Sequence, residues 1–115
     1  MVNYHNKTFR GTDEVGFQTD ASRFRLHFRQ IGNVIIAEFS SHDTPYGQLL
    51  GEFTEYGVLA LHYHRLSEKG SIDYGRCTVY PQTTLRDQLI IRLDWHSISD
   101  AQTKWELVAI ETNPT

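Results

Sequence analysis

Between Ser22 and Gln30 apolar and basic residues alternate one by one, with Phe24, Leu26 and Phe28 on one side and Arg23, Arg25, His27 and Arg29 on the other. A repeat of two puts side chains on opposite faces of an extended strand and does not fit an amphipathic helix. No stretch elsewhere sustains a helical apolar period over the ~11 residues a helix requires; turn-forming clusters recur instead. The pattern predicts strands at Lys7–Thr12, Ser22–Gln30, Val34–Ser40, Gly47–Glu55, Val58–Leu66, Ser71–Tyr80, Leu89–Ser97 and Thr103–Glu111. Between them lie a polar segment at Asp13–Ala21, tight loops at Ile31-Gly32 and Tyr56-Gly57, and turn clusters at Ser41–Pro45, Ser67–Gly70 and Leu85–Asp87. Pro81, which has no N–H to give a ladder, is expected to end the sixth strand. Short strands joined by hairpins predict an all-β fold, a single up-and-down antiparallel β-barrel of about eight strands, because closure removes the unpaired edges of an open sheet. A two-sheet antiparallel sandwich is the alternative. An eight-stranded barrel is just wide enough to be filled by side chains or to hold one small ligand.

The chain of 115 residues is long enough for one core, so residues 1–115 are read as a single domain. A formal net charge of −3 carries no nucleic-acid footprint, which needs a basic face. The local exception, Arg23, Arg25, His27 and Arg29, is read as a solvated strand face with Glu38, Glu52 and Glu55 as neighbours. The single cysteine, Cys77, allows no intramolecular disulfide and points to a reducing compartment. The opening residues Met1–Lys7 lack the apolar core of a signal peptide, and no apolar run approaches the ~20 residues of a membrane helix. These features predict a cytoplasmic protein with no membrane partner.

Hairpin loops set register, so inward and outward faces can be carried from strand to strand. A loop at Ile31-Gly32 puts Phe28 opposite Ile35, Leu26 opposite Ala37 and Phe24 opposite Phe39, a consistent apolar and therefore inward face. Keeping apolar residues together adds Leu49, Gly51 and Phe53 to it. A two-residue loop at Tyr56-Gly57 then pairs Phe53 with Ala60, Gly51 with His62 and Leu49 with His64. Closing the next hairpin with Leu66 opposite Ser71 pairs His64 with Asp73 and His62 with Gly75, and brings Cys77 opposite Ala60. The expected ligand pocket is thus His62, His64, Asp73, Cys77, Gly51, Gly75, Phe53 and Trp95, with the two glycines leaving room above His62. The opposite face carries Ile36, Leu50, Leu59, Leu61, Tyr63, Ile72 and Tyr74, apolar enough to predict a homodimer through Leu59, Leu61, Tyr63 and Tyr74, or a reversed parity. Beyond Pro81, burial favours Ile91, Leu93 and Trp95 inward over Arg92, Asp94 and His96. Trp95 and Trp105 would pair if the last loop has an odd number of residues.

His62 and His64 are the candidates for a metal, with Asp73, Cys77, Asp94 or His96 as further donors, although a metal needs three or four converging ligands. The bland alternative is one histidine bonded to Asp73 and the other exposed. Cys77 beside a histidine could form a nucleophile and base, but a small buried cysteine is ordinarily core. Phosphate-cradling and nucleophile-elbow glycine motifs are absent from the sequence, and no catalytic residue and no cofactor is assigned. Tyr4, Tyr46, Tyr56, Tyr63, Tyr74 and Tyr80 with Trp95 and Trp105 could line a pocket for a planar or apolar molecule. The reading is therefore a non-catalytic binder of a small apolar or aromatic ligand in the barrel lumen, with a dimeric interaction module or a histidine-based metal or enzymatic barrel as alternatives.

Lys7-Thr8-Phe9-Arg10, Phe28-x-Gln30-x-Gly32, Ala37-x-Phe39, Gly47-x-Leu49-Leu50, Gly57-x-Leu59, Tyr63, Gly70, Gly75-x-Cys77, Pro81, Arg92-Leu93-x-Trp95 and Asp100 together resemble a family of small bacterial proteins. Its members are often labelled N-acetylglutamate synthase, and the family is similar to lipocalin- or avidin- and streptavidin-like barrels. The resemblance covers most of the chain and implies the same barrel. It departs where the family has a Trp-x-Trp-Thr-x-Gly-Asp segment and this chain reads Trp95-His96-Ser97-Ile98-Ser99-Asp100, and where Ser41–Tyr46 replaces a glycine-rich third loop. The synthase label is not supported by the residues: holding the pyrophosphate of acetyl-CoA takes a glycine-bearing loop feeding a helix N-terminus, and the sequence has neither.

Overall fold

The computed structural model describes residues 2–12, 23–100 and 103–112. The expected segment Asp13–Ala21 and the start of the second strand at Ser22 lie outside these residues. The strands are β1 (Thr8–Gly11), β2 (Arg25–Ile31), β3 (Val34–Ser41), β4 (Thr44–Phe53), β5 (Leu59–Leu66), β6 (Ile72–Leu85), β7 (Gln88–Ser97) and β8 (Lys104–Glu111), with a 3-10 turn at Glu55–Gly57. Every strand pairs antiparallel with its sequence neighbour, and β1 pairs with β8 to close a barrel. The chain is therefore an eight-stranded up-and-down barrel and not a sandwich. No helix among the described residues is long and apolar enough to cross a membrane.

Small turns account for the register. Gly32 and Asn33, not Ile31 and Gly32, form the first tight turn, since Ile31 pairs with Val34. This moves the register by two residues, so Phe28 faces Ala37 and Leu26 faces Phe39, and the apolar face keeps its side. Arg86 and Asp87 both adopt positive φ, 52° and 67°, between paired Leu85 and Gln88, as the turn that matches strand twist requires. β6 does not stop at Pro81: a bulge between Pro81 and Thr83 absorbs the missing donor and the strand runs on to Leu85.

The decisive departure is the β4–β5 loop. Tyr56 and Gly57 both take left-handed φ, 65° and 79°, and Thr54 N–H donates to Val58 C=O at 2.7 Å. This is a five-residue connection that pairs Phe53 with Leu59. One residue of slip relative to the two-residue loop turns every β5 side chain over. Leu59, Leu61 and Tyr63 are buried, while Ala60, His62 and His64 are exposed. The β5–β6 hairpin differs by one residue as well, pairing Leu66 with Ile72 instead of Ser71, and restores the face of β6. Asp73, Gly75 and Cys77 therefore do point inward, but against Arg65, Tyr63 and Leu61. There is no room above His62. Gly51 and Gly75 mark close backbone approaches, where a methyl group would collide with the carbonyl oxygens of Ala60 and His96.

The interior is filled from one end to near the other. The N-terminal segment crosses the end carrying the Gly32, Gly57 and Arg86 turns, where buried Tyr4 packs on Phe28 and Phe53 (ring centroids 5.1 and 5.8 Å) and donates its hydroxyl to Gly57 C=O. Phe28, Ile35, Leu49, Leu59, Leu61, Cys77, Val79, Ile91 and Leu93 continue the core. Of the four residues expected to form a dimer face, Leu59, Leu61 and Tyr63 belong to this core and only Tyr74 stays at the surface. The faces of β5 predict opposite mutational costs: Leu61→Ala should lower unfolding free energy by about 2–5 kcal/mol and His62→Ala by no more than about 0.5 kcal/mol, as read from urea unfolding.

Candidate functional site

The opposite end of the barrel is built differently. Here β3 and β4 meet at the turn His42–Asp43, β5 ends at Arg65 and Leu66, β6 begins at Ile72, and β7 and β8 meet through residues 98–103. Asp73, the second residue of β6, is the centre. Its Oδ1 accepts from Ser97 Oγ at 2.6 Å and from Ser99 Oγ, and its Oδ2 accepts from Arg65 Nε at 2.9 Å and Tyr63 Oη at 3.1 Å. Arg65 extends the network through Nη1 to Thr44 Oγ1 at 2.8 Å and Asp43 Oδ2 at 3.4 Å. Ser41 and Thr44 hydroxyls in turn donate to Asp43 Oδ1. Two carboxylates and one guanidinium thus tie together β3, β4, β5, β6 and β7.

Aromatic rings stand on this polar base. Trp95 and Trp105, directly paired across β7 and β8, lie nearly parallel with centroids 5.8 Å apart. Tyr63 meets Trp95 edge-on at 5.2 Å, and Phe39 and Phe24 approach the same indole at 5.0 and 6.2 Å. Such tilted and offset contacts add about 0.5–1.5 kcal/mol each beyond burial. Arg65 also sits over the Trp105 ring, 5.5 Å from its centroid. Phe39 can lie flat on β4 because position 47 is glycine; a Cβ there would enter the ring. Between these walls opens a cavity of about 250 Å³, with Phe24, Phe39, Trp95, Trp105 and Leu107 on its apolar side and Asp43, Thr44, Arg65 and Thr103 on its polar side. His42 stands exposed at its rim. The indole Nε1 of Trp95 is buried and has no hydrogen-bond partner among the described residues.

Burial would raise the Asp73 pKa, but the hydrogen bonds from Ser97, Ser99, Arg65 and Tyr63 outweigh it and hold the carboxyl below its ordinary value. Asp43 is shifted the same way: burial is overcome by Ser41, the Arg65 charge, Thr44 and His42. Burial pushes the Tyr63 phenol up, with the Asp73 charge adding to it, so the phenol is a donor throughout the physiological range. Arg65 loses something to burial and gains more from Asp73 and Asp43, so its pKa rises.

The residues expected to form a pocket are not brought together. His62 and His64 point to solvent, and Phe53 packs against Tyr4 at the far end. Gly51 pairs with Ile35 and Leu61 in mid-barrel. Cys77 is 0% exposed, and burial, followed by the Asp94 charge, pushes its thiol well above the usual value. Facing Leu61 and Trp95, it has no imidazole opposite and is core. Asp94 is engaged by Arg92, and His96 is exposed. Among the described residues no three His, Cys, Asp or Glu side chains converge as a metal would need. Of the expected pocket, Trp95 lines the cavity and Asp73 organises it. Phe24, Phe39, Arg65 and the Ser41–Thr44 turn are additions that a sequence reader could find by asking which inward positions lie at the same barrel end.

For Asp73 the folded pKa lies below the unfolded value of about 3.9. Its contribution to stability is therefore fully present above that pH and is lost as pH falls through the folded pKa. Asp73→Asn is predicted to be less stable at pH 7 by about 1.5–3 kcal/mol and to lose less than the native protein on acidification below about pH 4, as measured by urea unfolding across pH.

A family model for avidin-like proteins matches residues 2–112. No curated protein and no solved structure matches the chain.

Proposed function

The chain belongs to the avidin-like protein family, and from that premise we propose that it is a non-catalytic binder of a small apolar or aromatic molecule held at the mouth of the barrel. The observation that carries this reading is an aromatic-walled cavity of about 250 Å³ standing on a polar base whose charges already satisfy one another. Concave, mostly apolar sites with a few convergent polar groups are the common form of small-molecule sites. The deeper lumen is packed with side chains, so the ligand sits at the open end and not along the axis. Support for a non-catalytic role comes from where the reactive groups lie: Cys77 is sealed in the core, and His62 and His64 face outward. A cytoplasmic location is part of the proposal, supported by the free thiol of Cys77.

Titration with a panel of neutral bicyclic aromatic compounds tests it. At least one should quench tryptophan fluorescence saturably, and Trp105→Ala should weaken that compound about tenfold, the equivalent of one aromatic contact. Absence of saturable quenching across the panel contradicts the reading.

A second reading, a homodimer, is favoured by the outer face of β5 to β8. His62, Arg76, His96 and Lys104 are cross-strand neighbours and form a basic row; Asp94 and Glu106 occupy the next row, which Ala60 and Thr78 extend to Glu52. Two parallel rows of opposite sign are self-complementary about a two-fold axis. Exposed Leu50 and Tyr74, 56% and 50% accessible, flank them. The solution mass should be twice 13.3 kDa and fall to that of the monomer in Arg76→Glu; a native monomer at ~100 μM, a concentration that populates even micromolar-affinity pairs, would rule the dimer out.

A further inference from the structure

We propose that the outer wall of the barrel carries a separate site, a groove across β1 to β4 that takes a small phosphate monoester. The phosphate sits on Arg10 and Arg25, and the organic group lies against Tyr46. The site is on the outside of the sheet and stands whether or not the mouth takes a ligand.

The basic repeat of β2 is only partly neutralised by its neighbours. Of the three acids expected beside it, Glu38 alone lies on an adjoining strand, opposite His27, and its Oε1 accepts Arg29 Nη2 at 3.2 Å. Glu52 is on β4 and Glu55 in the turn that follows, with β3 between them and β2. Arg25 has Arg10 directly opposite on β1 and Ser40 on β3, and Arg10 has Ile110 on its other side. Both arginines are exposed, and Arg10 makes no ion pair with any described residue. Directly opposed residues stand about 5 Å apart at Cβ, where like charges repel. An anion held between the two guanidinia replaces that repulsion by two attractions. Arg25 keeps Nη1 on the Phe24 carbonyl at 2.9 Å, and a guanidinium has further N–H donors to offer.

Beside this pair a groove of about 390 Å³ is lined by Thr8, Arg25, His27, Ser40, Tyr46 and Thr112. The hydroxyls of Thr8 and Thr112 bond each other. The His27 imidazole and the Ser40 hydroxyl make no hydrogen bond to another described residue, and both groups can donate. Glu38, the acidic residue among the described lining, is turned to Arg29. The groove thus presents donors and positive charge on one side.

Guanidinium forks match phosphate oxygens in paired hydrogen bonds. A phosphate monoester carries about two negative charges near neutral pH, the complement of two arginines, whereas a carboxylate carries one. A cavity of about 150 Å³ holds benzene, so about 390 Å³ has room for the phosphate together with a ring-sized group. Tyr46 is 46% exposed, and Gln48 Nε2 donates to its hydroxyl at 2.8 Å, which steadies the ring as an aromatic face for that group.

The probe is phenyl phosphate, titrated at low ionic strength into protein labelled for proton–nitrogen NMR. The backbone amide signals of Arg10, Arg25, His27 and Ser40 should shift saturably, and inorganic phosphate should bind more weakly than the ester. Arg10→Gln and Arg25→Gln should each weaken phenyl phosphate about tenfold, the equivalent of one charge-assisted hydrogen bond. Lys69→Gln removes the same charge from the exposed β5–β6 turn and should leave binding unchanged. No saturable shift up to about 10 mM ester, a concentration that populates even millimolar complexes, overturns the site. So do shifts confined to the Trp95 and Trp105 indoles, which place the ester at the mouth, and an equal loss in Lys69→Gln, which makes the attraction diffuse. Equal binding of inorganic phosphate overturns the monoester assignment. The map of shifts on the native protein decides the location even if an arginine variant does not fold.

Discussion

The Asp73 carboxylate is the interaction on which the functional end of this barrel depends. It accepts from Tyr63 and Arg65 on β5, from Ser97 on β7 and from Ser99 beyond it. Three of those donors come from the two strands that flank β6. Holding them fixes the spacing of strand ends that would otherwise splay where ladder hydrogen bonds run out. Arg65 transmits the same constraint to the β3–β4 turn through Asp43 and Thr44, so a half-buried charge on one strand positions a turn two strands away. The other end needs no such device. There Tyr4 and its aromatic neighbours plug the barrel by burial, with a single hydroxyl contact to Gly57.

This division gives the two ends different physics. At the plugged end stability comes from apolar area and would vary little with pH. At the mouth it comes from charge-assisted hydrogen bonds, which are strong only while the carboxylates stay ionised. A mouth held open by hydrogen bonds can keep aromatic surface beside a cavity without collapsing on it, which a purely apolar end could not do. Trp95 shows the consequence: four rings pack it into place, while its only polar atom lacks a partner within the described residues. Binding affinity at such a site draws on preorganised walls.

Much of the fold was legible in the sequence. Alternation at Phe24, Leu26 and Phe28 and the turn clusters identify the strands and the barrel, and the Trp95–Trp105 pair is readable once the last loop is taken as odd in length. The site was legible only in part, for a specific reason. A Tyr-Gly pair suggests a two-residue turn, whereas the chain here makes a 3-10 turn over Glu55–Gly57, closed by Thr54 N–H donating to Val58 C=O. The resulting slip of one residue exchanged His62 and His64 for Leu61 and Tyr63. A second slip, at Ser71 against Ile72, compensates for it, so the sequence pattern puts Asp73 and Cys77 on the correct face with the wrong neighbours. Apolar patterning alone carried the right warning, because Leu59, Leu61 and Tyr63 make a better inward face than Ala60, His62 and His64. Arg65 could not be recognised as Asp73's partner until that parity was known.

The central claim is that Asp73 orders the aromatic mouth independently of the rest of the barrel. A two-dimensional proton–nitrogen NMR comparison of the native protein with Asp73→Asn tests it directly. The account predicts that the backbone amide signals of Tyr4 and Phe28 at the plugged end stay in place while the indole N–H signals of Trp95 and Trp105 both shift or broaden. Indole signals unchanged by the substitution would contradict it.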